Sequence, residues 1–325
     1  MGPTLNLYYD IQILMLLVVF AAGVFFVERD RRHRRGSVAH RFQALSKTAA
    51  VLCTLGFIFV VYGSFIEPRI IRVVRAEVGL TGRRPLSAPV RIALISDSHL
   101  GPFKRDRFMR RVAAELIRIK PDIVVLAGDL VEDATRTGEA RYLLPLAEVA
   151  RRIPVFVALG NHDSGLGDEL DYLPLDEHEA EVAGALGEAG AVVLKNEHQV
   201  IEVGGVRVLI AGLADIRSGK TDPGAALSGA PPDIPRIVIA HNPDVVRLLD
   251  SREVDLLLAG HTHGGQFRLP GIGSLVRIPT TLGQDVDRGL FRIGGIPLYI
   301  TSGIGESGAR ARLFIPPEIA LITVR

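Results

Sequence analysis

The chain has 325 residues, 38 lysines and arginines against 36 aspartates and glutamates, and a single cysteine. That length admits one large domain plus extra segments. One cysteine excludes a disulfide framework and a cysteine-rich zinc site, and the formal net charge of +2 arises largely in one arginine-rich stretch, so it does not describe a substrate.

Mean hydropathy is +0.28, high for a chain in which 23% of residues are charged, and the excess is local. IQILMLLVVFAAGVFFV (11–27) and TAAVLCTLGFIFVVYGSFI (48–66) contain no Asp, Glu, Lys or Arg. Each is long enough to cross a bilayer, at roughly 17–25 residues per span. Two buried core helices are the alternative, but neither stretch has a polar face; a cleaved signal peptide lacks its basic leader here. Two transmembrane helices are therefore predicted.

Between them runs ERDRRHRRGSVAHRFQALSK (28–47), with Arg29, Arg31, Arg32, Arg34, Arg35, Arg41 and Lys47, whereas residues 1–10 carry no Lys or Arg. A basic run between two spans is a topology signal before it is a nucleic-acid site, so no nucleic acid is expected as partner. The positive-inside rule puts this loop in the cytoplasm and the chain after the second span outside. Arg69, Arg72, Arg75, Arg83 and Arg84 pull the other way, by a smaller contrast. The predicted organisation is a membrane anchor over 1–67, a connector over 68–89 and one domain over 90–325.

Within that domain, VRIALISDSHLG opens with an apolar run and is followed by DRFMRRVAAELIRIK (106–120), whose apolar residues fall at helical spacing and which Pro121 ends. DIVVLAGDLVED then reads as a second strand, and VFVALGNHD as a third. EHEAEVAGALGEAG (177–190) and PDVVRLLD (243–250) are helix candidates. QVIEVGGVRVLIAGL reads as a hairpin turning on Gly204-Gly205, LFRIGGIPLYIT as one turning on Gly294-Gly295, and EIALITV as a last strand. Mixed βα units followed by hairpins suggest two packed sheets flanked by helices.

Five apolar runs close on the same grammar. They end on Asp97 and His99, on Asp129, on Asn161, His162 and Asp163, on His241 (RIVIAHNPD), and on His261 and His263 (LLLAGHTHGGQ), so five of the nine histidines lie in these motifs. Any one alone has a bland reading: an N-cap for an Asp, a turn for an Asn, a surface turn for a histidine pair. Together, at the carboxyl ends of α/β strands, they describe a ligand site. Carboxylate, carboxamide and imidazole without thiolate suit Mn, Fe or Zn. At least seven such donors are too many for one catalytic ion with an open position, and they fit two ions sharing a carboxylate. Two ions close together hold an attacking hydroxide and the oxygens of a phosphoryl group. No Ser-His-Asp grouping, Cys-His grouping or nucleotide P-loop competes. His178 and His198 read as surface histidines, and Arg310 and Arg312 as part of a solvated loop.

DSH, GDLVE, GNHD, the histidine of HNPD, and GHTH, in that order, resemble the calcineurin-like metallophosphoesterases over essentially all of 90–325. SDSHLG, HNPD, GHTHGGQ and the closing SGIG…RLFIPPEIALITV are similar to their membrane-associated bacterial branch, which includes the animal transmembrane protein with a metallophosphoesterase domain. The resemblance implies an α/β/β/α two-sheet sandwich, here preceded by the two transmembrane helices. It also implies a ligand set: Asp97, His99 and His263 for one divalent ion, Asn161, His241 and His261 for a second, and Asp129 bridging. His162 would protonate the leaving oxygen. The family usually has an Asp three positions after the bridging one to orient that histidine; here Glu132 stands there, followed by Asp133, so retuning is expected.

The activity implied is hydrolysis of a phosphodiester or pyrophosphate bond by metal-bound hydroxide. Relatives in or near this branch cleave a UDP-linked diacylated sugar in lipid A biosynthesis. A glycolipid precursor such as UDP-2,3-diacylglucosamine is therefore the favoured lipid-linked substrate, although a UDP-linked compound is cytoplasmic and conflicts with the topology above. The alternatives are a phosphomonoesterase on proteins or small phosphates, and a noncatalytic membrane sensor that keeps the fold. Retention of all seven ligands and His162 speaks against the sensor.

Overall fold

The computed structural model describes residues 3–33, 36–80, 84–132, 138–166 and 175–325; Arg34, Arg35, Arg83 and Asp133 lie outside them. Helix α1 (Pro3–His33) and, after a short α2 (Val38–Arg41), helix α3 (Gln43–Val61) form an antiparallel hairpin. The segments 7–33 and 43–69 are long and apolar enough to cross a membrane. The two helices approach closely where a residue is small: a Cβ on Gly56 would lie 2.6 Å from the Phe20 ring. α3 ends in a π-helical turn, Tyr62–Ile66, where it meets the rest of the chain.

The connector holds a strand that its sequence hides. β1 (Arg72–Val78) pairs in parallel with the final strand, residue for residue from Arg72 opposite Glu318 to Val78 opposite Val324. Arg72, Arg75 and Glu77 interrupt its apolar pattern, as charges do on an edge strand that must not recruit a neighbour. Buried Arg84, just beyond it, pairs with Asp255 at 3.0 Å and ties the connector to the second half of the domain.

From there the chain lays down β2 (Val90–Ile95), α4 (Asp106–Ile119), β3 (Ile123–Ala127), a short α5 (Ala147–Ala150), β4 (Val155–Ala158), α6 (Leu175–Glu188) and β5 (Val192–Val193). Next come β6 (Glu197–Val203), β7 (Val206–Gly212), β8 (Arg236–Ile239), β9 (Leu256–Ala259) and a two-strand ribbon of β10 (Arg268–Leu269) with β11 (Gly273–Ser274). β12 (Gly289–Ile293), β13 (Ile296–Ile300) and β14 (Glu318–Val324) complete the order. Two six-stranded sheets result, β1-β14-β2-β3-β4-β5 and β12-β13-β9-β8-β7-β6. Both glycine hairpins form as expected, with Val203 opposite Val206 and Ile293 opposite Ile296. The PDVVRLLD helix is a 3-10 segment over Pro243–Leu248, a short connector capped by Asn242, whose side chain accepts from the Asp244 N–H at 2.9 Å.

Three cores stack through the domain. Alternate residues of the first sheet, among them Ile92, Leu94, Val125 and Phe156, pack against Val208, Ile210, Ile237 and Leu258 of the second. The opposite face of the first sheet is covered by α4 through Met109, Val112 and Leu116, and by α6 through Val182 and Leu186. The outer face of the second sheet is covered by short helical turns and loops around Ala226, Val245 and Val246. This is the α/β/β/α sandwich. Because β2, β3 and β4 run parallel in one sheet, and β8 and β9 parallel in the other, five carboxyl ends open on one rim.

Candidate metal centre

Each motif begins two or three residues past its strand: Asp97 and His99 after β2, Asp129 after β3, Asn161 and His162 after β4, His241 after β8, His261 and His263 after β9. All except His162 are buried. The turns are tight enough that Asp97, His99, Asp129, His261 and His263 all adopt positive φ, between 41° and 71°. Backbone strain of this kind costs of order 1–3 kcal/mol per residue and collects at functional sites. The glycines of the motifs have a steric reason. A Cβ on Gly160 would overlap Asp129 Oδ1, and one on Gly260 would lie 2.6 Å from Asp97 Oδ2.

The donors gather into two groups. Asp97, His99 and His263 place one ligand atom each within 4.8 Å of one another, and Asp129, His241 and His261 do the same. Asp129 stands between them. Its Oδ1 accepts from the His162 backbone N–H at 3.0 Å, while Oδ2 lies 3.0 Å from His241 Nε2 and 3.8 Å from His99 Nε2. Asn161 lines the same cavity, and its buried Oδ1 has no hydrogen-bond partner.

Electrostatics follow from this crowding. Burial disfavours a charged His241, but the Asp129 carboxylate against it wins, and its pKa is raised to about 10. Asp129 also resists burial: His241 and His162 hold it well below the usual carboxylate range. Burial, followed by neighbouring His241, pushes His261 down to about 3. Burial and then His99, whose Nε2 is 3.3 Å away, push His263 well below its ordinary value. Asp97 is raised by burial to about 6, although His241 opposes the shift.

The tautomers test whether cations fit. His241 Nδ1 bonds the Ala127 carbonyl at 2.8 Å, which directs a lone pair of Nε2 inward, as in metal-ligating histidines. That nitrogen then faces Asp129 Oδ2 and, at 3.0 Å, His261 Nδ1. Three acceptors so close repel one another unless a proton or a cation lies among them. With Asn161 Oδ1 also unsatisfied, the residues fit bound cations, and the all-N/O donor set suits Mn, Fe or Zn.

His162 reaches the same cavity, its Nε2 4.0 Å from Asp129 Oδ2. The ring is aimed by its Nδ1–H, which donates to the backbone carbonyl oxygen of Glu132 at 2.6 Å, where the sequence pointed to a side-chain carboxylate.

Several contributors take roles that the sequence reading did not assign. Asp163 is fully buried and accepts from the N–H groups of Leu130, Val131 and Gly160, locking the two ligand turns together. Gln266 straps the cavity wall through Ser307 and Ala309. Tyr9, from the first helix, lines the cavity with Arg217 and Arg277. Arg312 is not in a solvated loop: it is fully buried, donating to the carbonyls of Ser302, Gly305 and Ile315. His178 is buried as well, and His198 is half-buried with Nδ1 on the Ala226 carbonyl.

With this geometry in place, comparison with known proteins is decisive. Residues 90–265 match the family model of the calcineurin-like phosphoesterases. The chain belongs to that family. It is 31% identical over 288 residues to the phosphodiesterase YaeI of Escherichia coli, a match covering 87% of this chain and 98% of that one. It is 31% identical over 282 residues to an uncharacterized metallophosphoesterase of Aquifex aeolicus, covering 83% and 98%. It is 26% identical over 305 residues to the UDP-2,3-diacylglucosamine pyrophosphatase LpxG of Chlamydia trachomatis, covering 81% and 92%. The protein is a metal-dependent phosphoester hydrolase.

Proposed function

We propose that the enzyme is a membrane-anchored, two-metal hydrolase of phosphodiester or pyrophosphate bonds, acting on a lipid-linked substrate such as UDP-2,3-diacylglucosamine. The observation that carries the reading is the pair of donor groups meeting at Asp129 beneath one cavity of about 330 Å³ that His162 also lines. In this assignment Asp97, His99 and His263 would hold one ion, Asn161, His241 and His261 would hold the other, and Asp129 would serve both. Such ions, when bound, acidify water and neutralise charge building on phosphoryl oxygens.

The chain's own residues supply the rest. Asp163 and the Glu132 carbonyl fix the turn and ring of His162, whose Nε2 delivers a proton to the departing oxygen. Arg217 and Arg277 give the cavity wall the charge that an anionic substrate requires. Membrane anchoring is supported by α1 and α3, whose outward side chains are apolar: Leu14, Val19 and Leu52 are about 60% exposed. The likeness to YaeI and LpxG, named for a diester and a pyrophosphate activity, favours these bonds over monoesters.

The test is hydrolysis of bis(p-nitrophenyl) phosphate against p-nitrophenyl phosphate by metal-stripped protein reloaded with Mn, Zn or Mg. Faster turnover of the diester supports the reading. Preference for the monoester makes the enzyme a phosphomonoesterase, and no turnover of either with any metal leaves a noncatalytic sensor.

A further inference from the structure

The cavity over the metal centre has a second cavity beside it. Tyr9, Phe267 and Ala309 line the first, and the same three residues form one end of the second, of about 210 Å³, that runs between α1 and α3. Beyond them the second cavity is walled by Ile13 and Leu16 of α1, Phe59 and Val60 of α3, and Leu313. Its polar groups are confined to Tyr9, Gln12 and Ser64.

We propose that this slot seats one hydrocarbon chain of the substrate, whose phosphate then lies over the metal centre, so that the substrate enters sideways from the bilayer. The proposal rests on the hydrolase reading above and adds the substrate class, an amphiphile with its phosphate next to an alkyl chain, and the residues that select it. Three features favour the substrate's own chain over a bystander lipid. The slot adjoins the reaction cavity, with Tyr9, Phe267 and Ala309 lining both. Its walls are nearly all apolar, whereas the reaction cavity is lined by histidines and arginines, so the two halves match a two-ended molecule. It also lies between the two helices whose outer faces suit a bilayer.

The mouth is held in shape from both sides. The end of α3 is fastened to the loop bearing Leu313: the Arg312 backbone N–H donates to the Gly63 carbonyl at 2.9 Å, the Phe314 N–H to Glu67 Oε2 at 2.8 Å, and Phe59 packs edge-on against Phe314. On the other side Arg310, stacked on Phe103, pairs with Asp10 of α1. A preformed slot loses little ordering entropy when a chain enters.

The experiment uses the full chain in detergent, loaded with the metal that best supports turnover, and a series of alkyl p-nitrophenyl phosphates from ethyl to dodecyl. KM should fall by up to roughly fourfold per added methylene, the equivalent of about 0.8 kcal/mol per buried CH₂, and then level off once the slot is full. kcat should change little, because the growing end of the chain is far from the phosphate. Ile13→Trp and Val60→Trp fill the slot from opposite walls, and each should flatten the dependence, costing at least tenfold in kcat/KM for the decyl ester relative to the ethyl ester. A flat series in the wild type overturns the slot while leaving the hydrolase reading intact. A steep series that is identical in both variants also overturns it, since the chains then partition elsewhere. Failure to hydrolyse any member, short or long, overturns both.

Discussion

Asp129 has its two oxygens in different environments. Oδ1 is held by a backbone N–H, and Oδ2 faces a histidine from each donor group. Under the proposed assignment Asp129→Asn removes the one negative charge that both ions would share, so metal content should drop to one ion or none and turnover should vanish. Elemental analysis of wild type and variant decides it: full wild-type activity at one ion or fewer would remove the two-metal scheme. His162 belongs to neither donor group, and its role separates from theirs. His162→Ala should keep both metals and lose roughly 10²–10⁴ in rate, the scale of general acid catalysis. The loss should shrink with good leaving groups, which need little protonation. Equal losses across leaving groups would mean that His162 only shapes the cavity.

At the scale of elements, the strand ends supply the ligands, and buried charge holds the loops that face them. Lys104 packs over the Phe108 ring and donates to Glu306 and to the Ile304 carbonyl, while Arg312 draws in Glu306 from the other side at 3.7 Å. This cluster joins the start of α4 to the segment after β13. Arg312→Met should cost about 3–5 kcal/mol, the usual penalty for breaking a buried ion pair from one side, read as a lowered Tm in a fixed detergent. Lys104 offers a pH test. Burial lowers its pKa from 10.5 to about 8, against the pull of Glu306. Between those values the unfolded chain binds the extra proton and the folded chain does not, so stability rises with pH in that window. The Tm of the wild type minus that of Lys104→Met should therefore increase from about pH 8 to 10.5. A constant difference would show that Lys104 keeps its ordinary pKa.

At the scale of the molecule, α1 and α3 form a hairpin whose open end meets the catalytic domain. Asp10 pairs with Arg310, and Gly63 accepts from Arg312, while the arginine-bearing turn lies at the far end. The positive-inside contrast across α1 then expects the catalytic domain on the extracytoplasmic face. Protease added to intact spheroplasts should digest it. Protection until lysis would reverse the orientation and would remove the conflict with a UDP-linked substrate.

The amino-acid sequence by itself determined the chemistry class, because a two-metal site needs particular donor types after particular strands, and these are local patterns. SDSH, AGD, LGNHD, IAHN and AGHTH each carry an apolar run and its ligand within a few residues. Both hairpins and α4 were legible for the same reason. Only the tertiary structure decided what depends on residues distant in the chain. Arg72–Val78 becomes a strand because β14 comes to lie beside it, about 245 residues later in sequence by the pairing of Arg72 with Glu318. Arg312 looked solvated beside glycines and is buried because the connection between β13 and β14 folds over it, presenting three carbonyls, and docks on the end of α3 through the Gly63 carbonyl. Asp163 stands in the GNHD motif without an assigned role until β3 and β4 align and present three N–H groups to it. Tyr9 belongs to a membrane helix by composition, and it lines the reaction cavity because the hairpin folds back onto the catalytic domain. Burial and partner choice are set by packing, and packing joins residues that no local window contains.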